Sequence, residues 1–175
     1  IMKKKETLND ILKYHNSRDY LLAKKKYISF IEKYKTNSDA YHLLGMLYYN
    51  FEGNASKAKA NITQAIYFNP KNYEAFLNRG VINFAEGKIY EAIDDFSNSL
   101  YLNKDYEIAY NNRGKALADL GEFEKSITDF DKAIKINPNY AAAYLGRGNS
   151  KKHIHDFVGA INDFDTALSK NSNFY

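Results

Sequence analysis

Residues 107–140 read EIAYNNRGKALADLGEFEKSITDFDKAIKINPNY, and most of the remaining chain consists of approximate copies of this segment. A shift of 34 residues aligns Tyr110 with Phe76 on one side and with Tyr144 on the other. Arginine, glycine and phenylalanine recur at the same period further along the segment. A fixed period of this length indicates one supersecondary unit stacked repeatedly, because a single unit buries too little apolar surface to fold alone. The sequence therefore predicts a repeat protein.

Two helical stretches are predicted within the segment. The first, helix A, carries apolar side chains at mixed three- and four-residue spacing and ends at Gly121. The second, helix B, begins near Phe123 and ends at Asn137 and Pro138. Gly121 suits the left-handed backbone that closes a helix without strain from a Cβ atom. Because no apolar alternation typical of strands is present, we expect an all-α fold built from antiparallel helix pairs.

The spacing aromatic-x2-[Leu/Arg]-Gly, then Ala-x3-Phe, then Pro resembles the tetratricopeptide repeat. Four copies in register carry this resemblance: Tyr41, Leu44, Gly45, Tyr48, Ala58 and Pro70; Phe76, Gly80, Ala92 and Phe96; Tyr110, Gly114, Phe130, Ala133 and Pro138; Tyr144, Gly148, Ala160, Phe164 and Ala167. The resemblance implies a right-handed superhelical solenoid of about five units.

A single repeat domain is expected across residues 1–175. Its predicted units are 4–37, which is degenerate, 38–72, which holds a one-residue insertion, 73–106, 107–140 and 141–174. We expect the inserted residue in the turn near Gly53, because loops tolerate insertion.

Small residues at fixed positions predict close contact between the two helices of a pair. Glycine recurs at the eighth position of the unit and alanine at the twentieth, where a larger side chain would overpack the interface. Arg79, Arg113 and Arg147 recur sixteen residues before aspartates, which predicts arginine–aspartate bridges in the stack. His155 stands where Gly121 stands in the template, so a left-handed turn there would be strained.

Composition excludes several classes of protein. Apolar residues make up 45% of the chain, which is enough for a core, and cysteine is absent, which excludes disulfides and thiolate chemistry. No apolar run reaches the roughly 18 residues of a membrane span. The opening Ile-Met-Lys-Lys-Lys is not followed by the apolar core of a secretory signal. We expect a cytoplasmic protein without membrane contact.

Charge is concentrated at one end of the chain. Residues 1–37 hold ten Lys and Arg against four Asp and Glu, whereas residues 38–175 hold fifteen against seventeen. Nucleic-acid binding by helical repeats needs basic and base-contacting residues in every repeat, so this distribution disfavours it. A solvated cap at the end of the stack is the simpler interpretation.

No residue pattern points to catalysis or to a cofactor. His153 and His155 are two residues apart and do not share a helix face, and a third ligand at suitable spacing is missing. The carboxylates recur with the repeat, as helix-surface charges do, and do not form an isolated catalytic pair. We therefore expect a non-enzymatic protein without a metal site.

The family resemblance implies a binding groove lined by the A helices. Carried onto this sequence, its groove positions predict partner contacts at His42, Met46, Tyr49, Asn50, Leu77, Asn78, Val81, Phe84, Asn111, Asn112, Lys115, Asn149 and Lys152. The early positions are apolar and aromatic and the later ones polar and basic. This predicts a protein or peptide ligand with an apolar anchor near Tyr49 and Phe84 and an acidic flank near Lys115 and Lys152. The asparagines could hydrogen-bond a peptide backbone of any sequence.

Two features restrict the possible partners. Some family members grip a partner's C-terminal carboxylate with Lys, Asn and Arg on three successive A helices, but no three consecutive repeats here supply that clamp. The last B helix presents Ile161, Phe164 and Leu168 without a helix predicted to follow. A self-associating assembly protein is therefore the main alternative to a peptide-binding scaffold, with RNA binding a weaker one.

Overall fold

The computed structural model describes residues 7–171. Within this range the chain forms ten α-helices and no β-strand. In chain order they are α1 (Leu8–Asn16), α2 (Tyr20–Lys33), α3 (Ser38–Asn50), α4 (Ala55–Phe68), α5 (Tyr73–Ala85), α6 (Ile89–Leu102), α7 (Glu107–Asp119), α8 (Phe123–Ile136), α9 (Ala141–His153) and α10 (Phe157–Asn171). The predicted all-α solenoid of helix pairs is confirmed. None of these helices is both long and apolar enough to cross a membrane.

Odd-numbered helices are the A helices and even-numbered helices the B helices. The turn between α3 and α4 spans residues 51–54, whereas the turn between α7 and α8 spans only 120–122. The extra residue of the second repeat therefore lies in this turn, beside Gly53, whose φ is +63°.

Left-handed residues close the turns inside the pairs. Gly87 and Gly121 have φ values of +75° and +78°, and a Cβ atom at either would meet nothing within 4 Å, so the backbone angle alone explains the glycine. His155 and Arg18 adopt φ of 64° at the matching turns despite their side chains. A left-handed residue with a Cβ costs roughly 1–2 kcal/mol, so these two turns are strained as the sequence predicted for His155.

The chain divides into two compact units, Ile1–Arg79 and Gly80–Tyr175, called unit 1 and unit 2 below. In unit 1 the core joins α1, α2 and α3 through the fully buried Ile11 and Tyr27 and the nearly buried Leu47. Burying one large apolar side chain stabilises a fold by roughly 1.5–3 kcal/mol, so this cluster holds the degenerate first repeat in place.

Glycines bring the paired helices together in both units. In unit 2 a Cβ atom at Gly114 would lie 3.1 Å from Phe130 Cε1, and one at Gly148 would lie 2.7 Å from Phe164 Cε1. In unit 1 a Cβ at Gly45 would lie 2.7 Å from Ile62 Cγ1. The rings and chains of the B helices thus fill the space that a side chain on the A helix would need, which is the close contact predicted from the repeat.

Candidate partner-binding site

A polar cavity of about 500 Å³ lies in unit 1. Its lining comes from α1, from α3 and from the residues that lead into α5. The carboxylates Asp39 and Glu74 and the imidazole of His42 belong to this lining, with Lys71 as the cation. Leu8 and Leu12 of α1 supply its apolar part. This cavity is polar and largely acidic, with a smaller share of apolar surface.

His42 and Asn78 are already engaged with each other. The Asn78 Nδ2 donates to His42 Nε2 over 2.7 Å, and the His42 side chain is 8% exposed. Burial lowers the pKa of His42, while Glu74 and Asp39 act in the opposite direction. A neutral ring is the form that can accept this hydrogen bond, so the pair joins α3 to α5 inside unit 1.

A second cavity, of about 290 Å³, lies in unit 2 between α7, α8 and α9. Phe130 forms part of its lining below Gly146, and Phe123 stacks on His153 with ring centroids 4.5 Å apart and an interplanar angle of 2°. Ala118, Ala142 and Leu145 complete the apolar part of the wall. Here aromatic and aliphatic surface predominates.

The polar groups of this second cavity fall into two kinds. Ser150 Oγ is satisfied, since it donates to Gly146 O over 3.2 Å and lies 2.9 Å from Ser126 Oγ. Lys115, Asp119 and Asn149 also line the cavity, and within residues 7–171 their side chains form neither an ion pair nor a hydrogen bond. Lys115 and Asn149 are among the residues predicted from the sequence.

The other predicted contact residues lie elsewhere. In unit 1, Leu77 is only 6% exposed, Met46 and Tyr49 are partly exposed and Asn50 is exposed.

In unit 2, Val81, Phe84 and Asn112 are partly exposed and Lys152 is exposed, but none of them lines the cavity. Asn111 is 2% exposed, and its Oδ1 has no hydrogen-bond partner within the described residues. Their role in binding stays a prediction.

Gly146 is the residue that the sequence reasoning missed. It stands 34 residues after Asn112 and 68 after Asn78, so the repeat position that carries an amide twice carries no side chain here. A Cβ at Gly146 would lie 2.5 Å from Phe130 Cε1, closer than real Cβ contacts allow. The missing side chain was visible in the sequence, but only a comparison of the same position across repeats could reveal it.

Arginine–aspartate pairs of unit 2 join α7 to α8 and α9 to α10, as predicted. Arg113 donates from Nε and Nη2 to both carboxylate oxygens of Asp129, at 2.7 and 2.8 Å. Arg147 binds Asp163 in the same bidentate way. Burial raises the pKa of Asp163, but hydrogen bonds from Arg147 and Lys151 outweigh it and hold that pKa below its usual value. These arginines are structural and are not available to an acidic ligand.

The histidines predicted to lie at a turn end α9 and begin the next segment. His153 stacks on Phe123, and His155 meets Phe157 edge-on, with centroids 5.7 Å apart. Between residues 7 and 171 no group of three or more His, Asp or Glu side chains is placed to hold a metal ion.

The last helix presents a large exposed apolar surface. Val158, Ile161 and Leu168 of α10 are 73%, 59% and 69% exposed, whereas Phe164 is partly buried against Gly148. The sequence had predicted Ile161, Phe164 and Leu168 to be exposed together, and this is right for two of the three.

Comparison with known proteins agrees with the repeat. A model described as the tetratricopeptide repeat matches residues 108–140, and a second model of the same description matches residues 38–72. No curated protein matches the chain significantly in sequence.

Solved structures of similar fold cover almost the whole chain. A crystal structure of MamA aligns with a TM-score of 0.85 at 24% identity and covers 97% of this chain and 98% of its own. YrrB, described as a tetratricopeptide-repeat protein with an unusual peptide-binding site, aligns with a TM-score of 0.79 at 18% identity over 95% of this chain and 86% of its own. PilF of Pseudomonas aeruginosa aligns with a TM-score of 0.82 at 17% identity over 91% and 72%. The helix pairs, the repeat spacing and the two model matches show that the chain carries tetratricopeptide repeats.

Proposed function

We propose that this protein is a non-enzymatic interaction module that binds a peptide or a helix of a partner protein on the surface formed by its A helices. The observation that carries the proposal is the cavity beside α7 and α9, which combines apolar walls with three polar side chains that have no partner within the described chain. Ligand sites typically pair apolar walls with a few polar groups that fix orientation. The peptide-binding site named for YrrB is consistent with this use of the fold.

The partner expected from the charges has an apolar anchor and an acidic flank. Lys115 and Lys152 are exposed, and within residues 7–171 neither forms an ion pair. Helix α9 itself contains no acidic residue. Asp119 of α7 offsets part of this charge, and the remaining cation favours a partner with a carboxylate and selects against basic partners.

A displayed library of random peptides tests the proposal. Peptides selected on the wild-type protein should bind about tenfold or more weakly to a Lys115→Glu/Lys152→Glu variant, because charge reversal removes two attractive contacts and adds repulsion. A Lys132→Glu/Lys135→Glu variant makes the same charge change on exposed positions of α8 and should bind like the wild type. A Tyr49→Ala/Phe84→Ala variant asks whether the predicted apolar anchor contributes.

Equal binding of the selected peptides to the wild type and to the Lys115/Lys152 variant would contradict an acidic flank on this surface. Failure to select any peptide that depends on an A-helix residue would contradict the proposed function as a whole.

A second candidate function is self-association through the end formed by α9 and α10. Repeat positions show what covers the equivalent surface inside the stack: Ile134 packs against a buried cluster that includes Ala143 of the following repeat. Leu168 is the equivalent of Ile134, one period later, and is 69% exposed. A second copy of this chain carries A helices of the type that covers Ile134, so we propose another copy as the occupant.

Sedimentation across a range of protein concentrations tests self-association. The wild type should exceed the monomer mass of 20.2 kDa as concentration rises, and a Val158→Glu/Leu168→Glu variant should remain at it. Tyr90→Glu/Tyr101→Glu alters similarly exposed side chains of α6, at 71% and 81%, and should behave like the wild type. A wild type that stays monomeric at every concentration would rule this candidate out.

A further inference from the structure

Gly146 lines the cavity of unit 2 beside an aromatic ring. In the two preceding repeats the same position holds Asn78 and Asn112, so a side chain is the rule there. At Gly146 the space is taken instead by Phe130, whose Cε1 would lie 2.5 Å from an added Cβ. The glycine therefore makes room for the ring of Phe130, which forms part of the cavity wall.

The inner part of this cavity, formed by the buried Phe130 and Ser150, offers no free hydrogen-bonding group. Ser150 Oγ is occupied by Ser126 and by the carbonyl of Gly146. The more exposed part of the wall comes from the stacked Phe123 and His153 and from aliphatic side chains. An occupant with a polar tip would lose its hydrogen bonds to water without replacement, so the inner part selects an apolar group.

An aromatic occupant matches the walls and the volume. Aromatic rings prefer offset or edge-to-face contacts with other rings, and this cavity presents Phe123 and Phe130 from α8, with Phe123 stacked on His153 of α9. Its volume of about 290 Å³ is near the lower end of the roughly 300–1,000 Å³ of small-molecule sites, which suits one side chain better than a cofactor.

Charged and polar side chains at the rim of the cavity favour a ligand with negative charge. Lys115 and Asn149 are exposed donors, and within residues 7–171 no protein group accepts from them. Asp119 is the only acidic residue in the lining. Lys152 adds a second unpaired cation on α9, because Lys151 already binds Asp163 over 2.9 Å. A carboxylate next to the aromatic anchor would satisfy these donors.

From this geometry we propose that the cavity between α7, α8 and α9 is the anchor site for an aromatic side chain flanked by a carboxylate in a partner's peptide segment. This inference rests on the proposed function and names its anchor. The anchor site is therefore the cavity beside Gly146, and not Tyr49 and Phe84, which the sequence predicted.

Blocked tripeptides provide the probe. Acetylated and amidated Asp-Phe-Asp, titrated into isotopically labelled protein, should shift the backbone amide signals of Gly146, Asn149 and Ser150 in a saturable way. Asp-Ala-Asp, which lacks the ring, and Lys-Phe-Lys, which reverses the charge, should each bind about tenfold or more weakly, as expected when a central anchor or its charge partner is lost.

Three variants separate binding from folding. Lys115→Glu changes an exposed side chain and should weaken Asp-Phe-Asp while strengthening Lys-Phe-Lys. Lys132→Glu, also exposed but on α8 outside the cavity, should leave both peptides unaffected. Gly146→Ala should abolish the shifts by intruding on Phe130, and if it fails to fold, the Lys115 reversal still decides the question.

Equal affinity for Asp-Phe-Asp and Asp-Ala-Asp, or no effect of Lys115→Glu, would overturn the inference. If peptides from the displayed library depend on A-helix residues but leave Gly146 and Asn149 unshifted, the anchor site is wrong and the proposed function stands. If no peptide depends on any A-helix residue, both fail.

Discussion

At the seventh position of the repeat, the second repeat carries Leu44, whereas the third, fourth and fifth carry Arg79, Arg113 and Arg147. Leu44 is 4% exposed and belongs to the apolar core of unit 1. Asn61 stands in unit 1 where the partner aspartates stand in unit 2, and it bonds the carbonyl of Lys57 on its own helix. One repeat position is therefore filled by an apolar contact in the second repeat and by a bidentate ion pair in the fourth and fifth.

The side-chain hydrogen bonds at the helix starts also differ between the two units. In unit 1 the side chains of Thr7, Asp19, Asn37 and Asn54 each accept a hydrogen bond from the first turn of their helix. In unit 2 the residues before α6, α7, α8 and α9 make no such bond, whereas Asp156 accepts one from Gly159 N at the start of α10, over 2.9 Å. Side-chain caps are therefore commoner in unit 1 than in unit 2. Both are compatible with the same repeat.

The largest effect is expected from Arg113→Leu, which gives the fourth repeat the residue that the second repeat has as Leu44. Removing the guanidinium leaves Asp129, whose side chain is 7% exposed, as a buried charge without its bidentate partner. Breaking a buried pair in this way typically costs about 3–5 kcal/mol, although Arg113 keeps 24% exposure and solvent will reduce the loss. Urea denaturation, with hydrogen exchange of α7 and α8, measures it.

Arg113→Leu/Asp129→Asn is the matched control, because it copies both Leu44 and Asn61. Replacing a buried pair by uncharged groups is often close to neutral, so the double variant should recover most of the lost stability. If the double variant is as unstable as the single one, the uncharged pair of the second repeat cannot replace the ion pair of the fourth.

The next effect concerns the helix-contact glycines. Gly114→Leu should lower the free energy of unfolding by about 1–3 kcal/mol, or unfold the stack, because Phe130 already fills the space. Gly45→Ala should be worse tolerated than Gly114→Ala. A Cβ at Gly45 would lie 3.0 Å from the backbone oxygen of Ala58, which cannot move aside, whereas at Gly114 it meets only the ring of Phe130.

Thermal denaturation of the three glycine variants decides between these outcomes. An unchanged melting temperature for Gly114→Leu would contradict the close helix contact in unit 2. A milder effect of Gly45→Ala than of Gly114→Ala would show that the contact with Ile62 and Ala58 adjusts more easily than its distances imply.

Most of the fold could be predicted from the sequence because the same pattern of residues occurs in several repeats. Gly121 and Pro138 mark helix ends, and Gly114 lies at a close contact between paired helices, as its recurrence predicted. Charge partners were also predictable, since Arg113 and Asp129 recur in phase with Arg147 and Asp163. A feature that recurs can be predicted from one sequence, because each repeat gives a further observation of it.

The site was harder to predict because it depends on what does not repeat. Gly146 affects the site because it has no side chain, and no residue propensity predicts a cavity. His42 was predicted as a partner contact, yet it is bonded to Asn78, a pairing that depends on rotamers of two helices. Repeat position alone could not distinguish a buried neighbour from an exposed contact.

Helix capping gives a smaller test. Asn54 accepts from Lys57 N over 3.0 Å, so Asn54→Ala should cost roughly 0.5–2 kcal/mol. Glu122 stands at the equivalent place before α8 without a capping bond, and Glu122→Ala should change stability little. Glu122→Asn should add a cap to unit 2. A loss on Glu122→Ala as large as that on Asn54→Ala would contradict the difference in capping.

The smallest expected effect is a difference in response to mild acid. Burial lowers the pKa of His15 and of His42, both in unit 1. The unfolded chain then binds more protons than the folded one as pH falls below the usual value of 6.5, so unit 1 loses stability in that range. Asp163 in unit 2 has a lowered pKa, so its contribution persists until pH falls below its usual value of 3.8.

Hydrogen exchange, corrected for the intrinsic effect of pH, should therefore show protection falling in α1–α3 before α8–α10 between about pH 7.5 and pH 5. Groups that face these histidines are Tyr27 beside His15, at 3.3 Å, and Asp39 and Glu74 near His42, whose negative charge reduces the effect. A His15→Gln/His42→Gln variant keeps polar side chains but cannot titrate, so it should lose the pH dependence in α1–α3. Equal loss of protection in both units, or a dependence that survives in the variant, would place the acid response outside these two histidines.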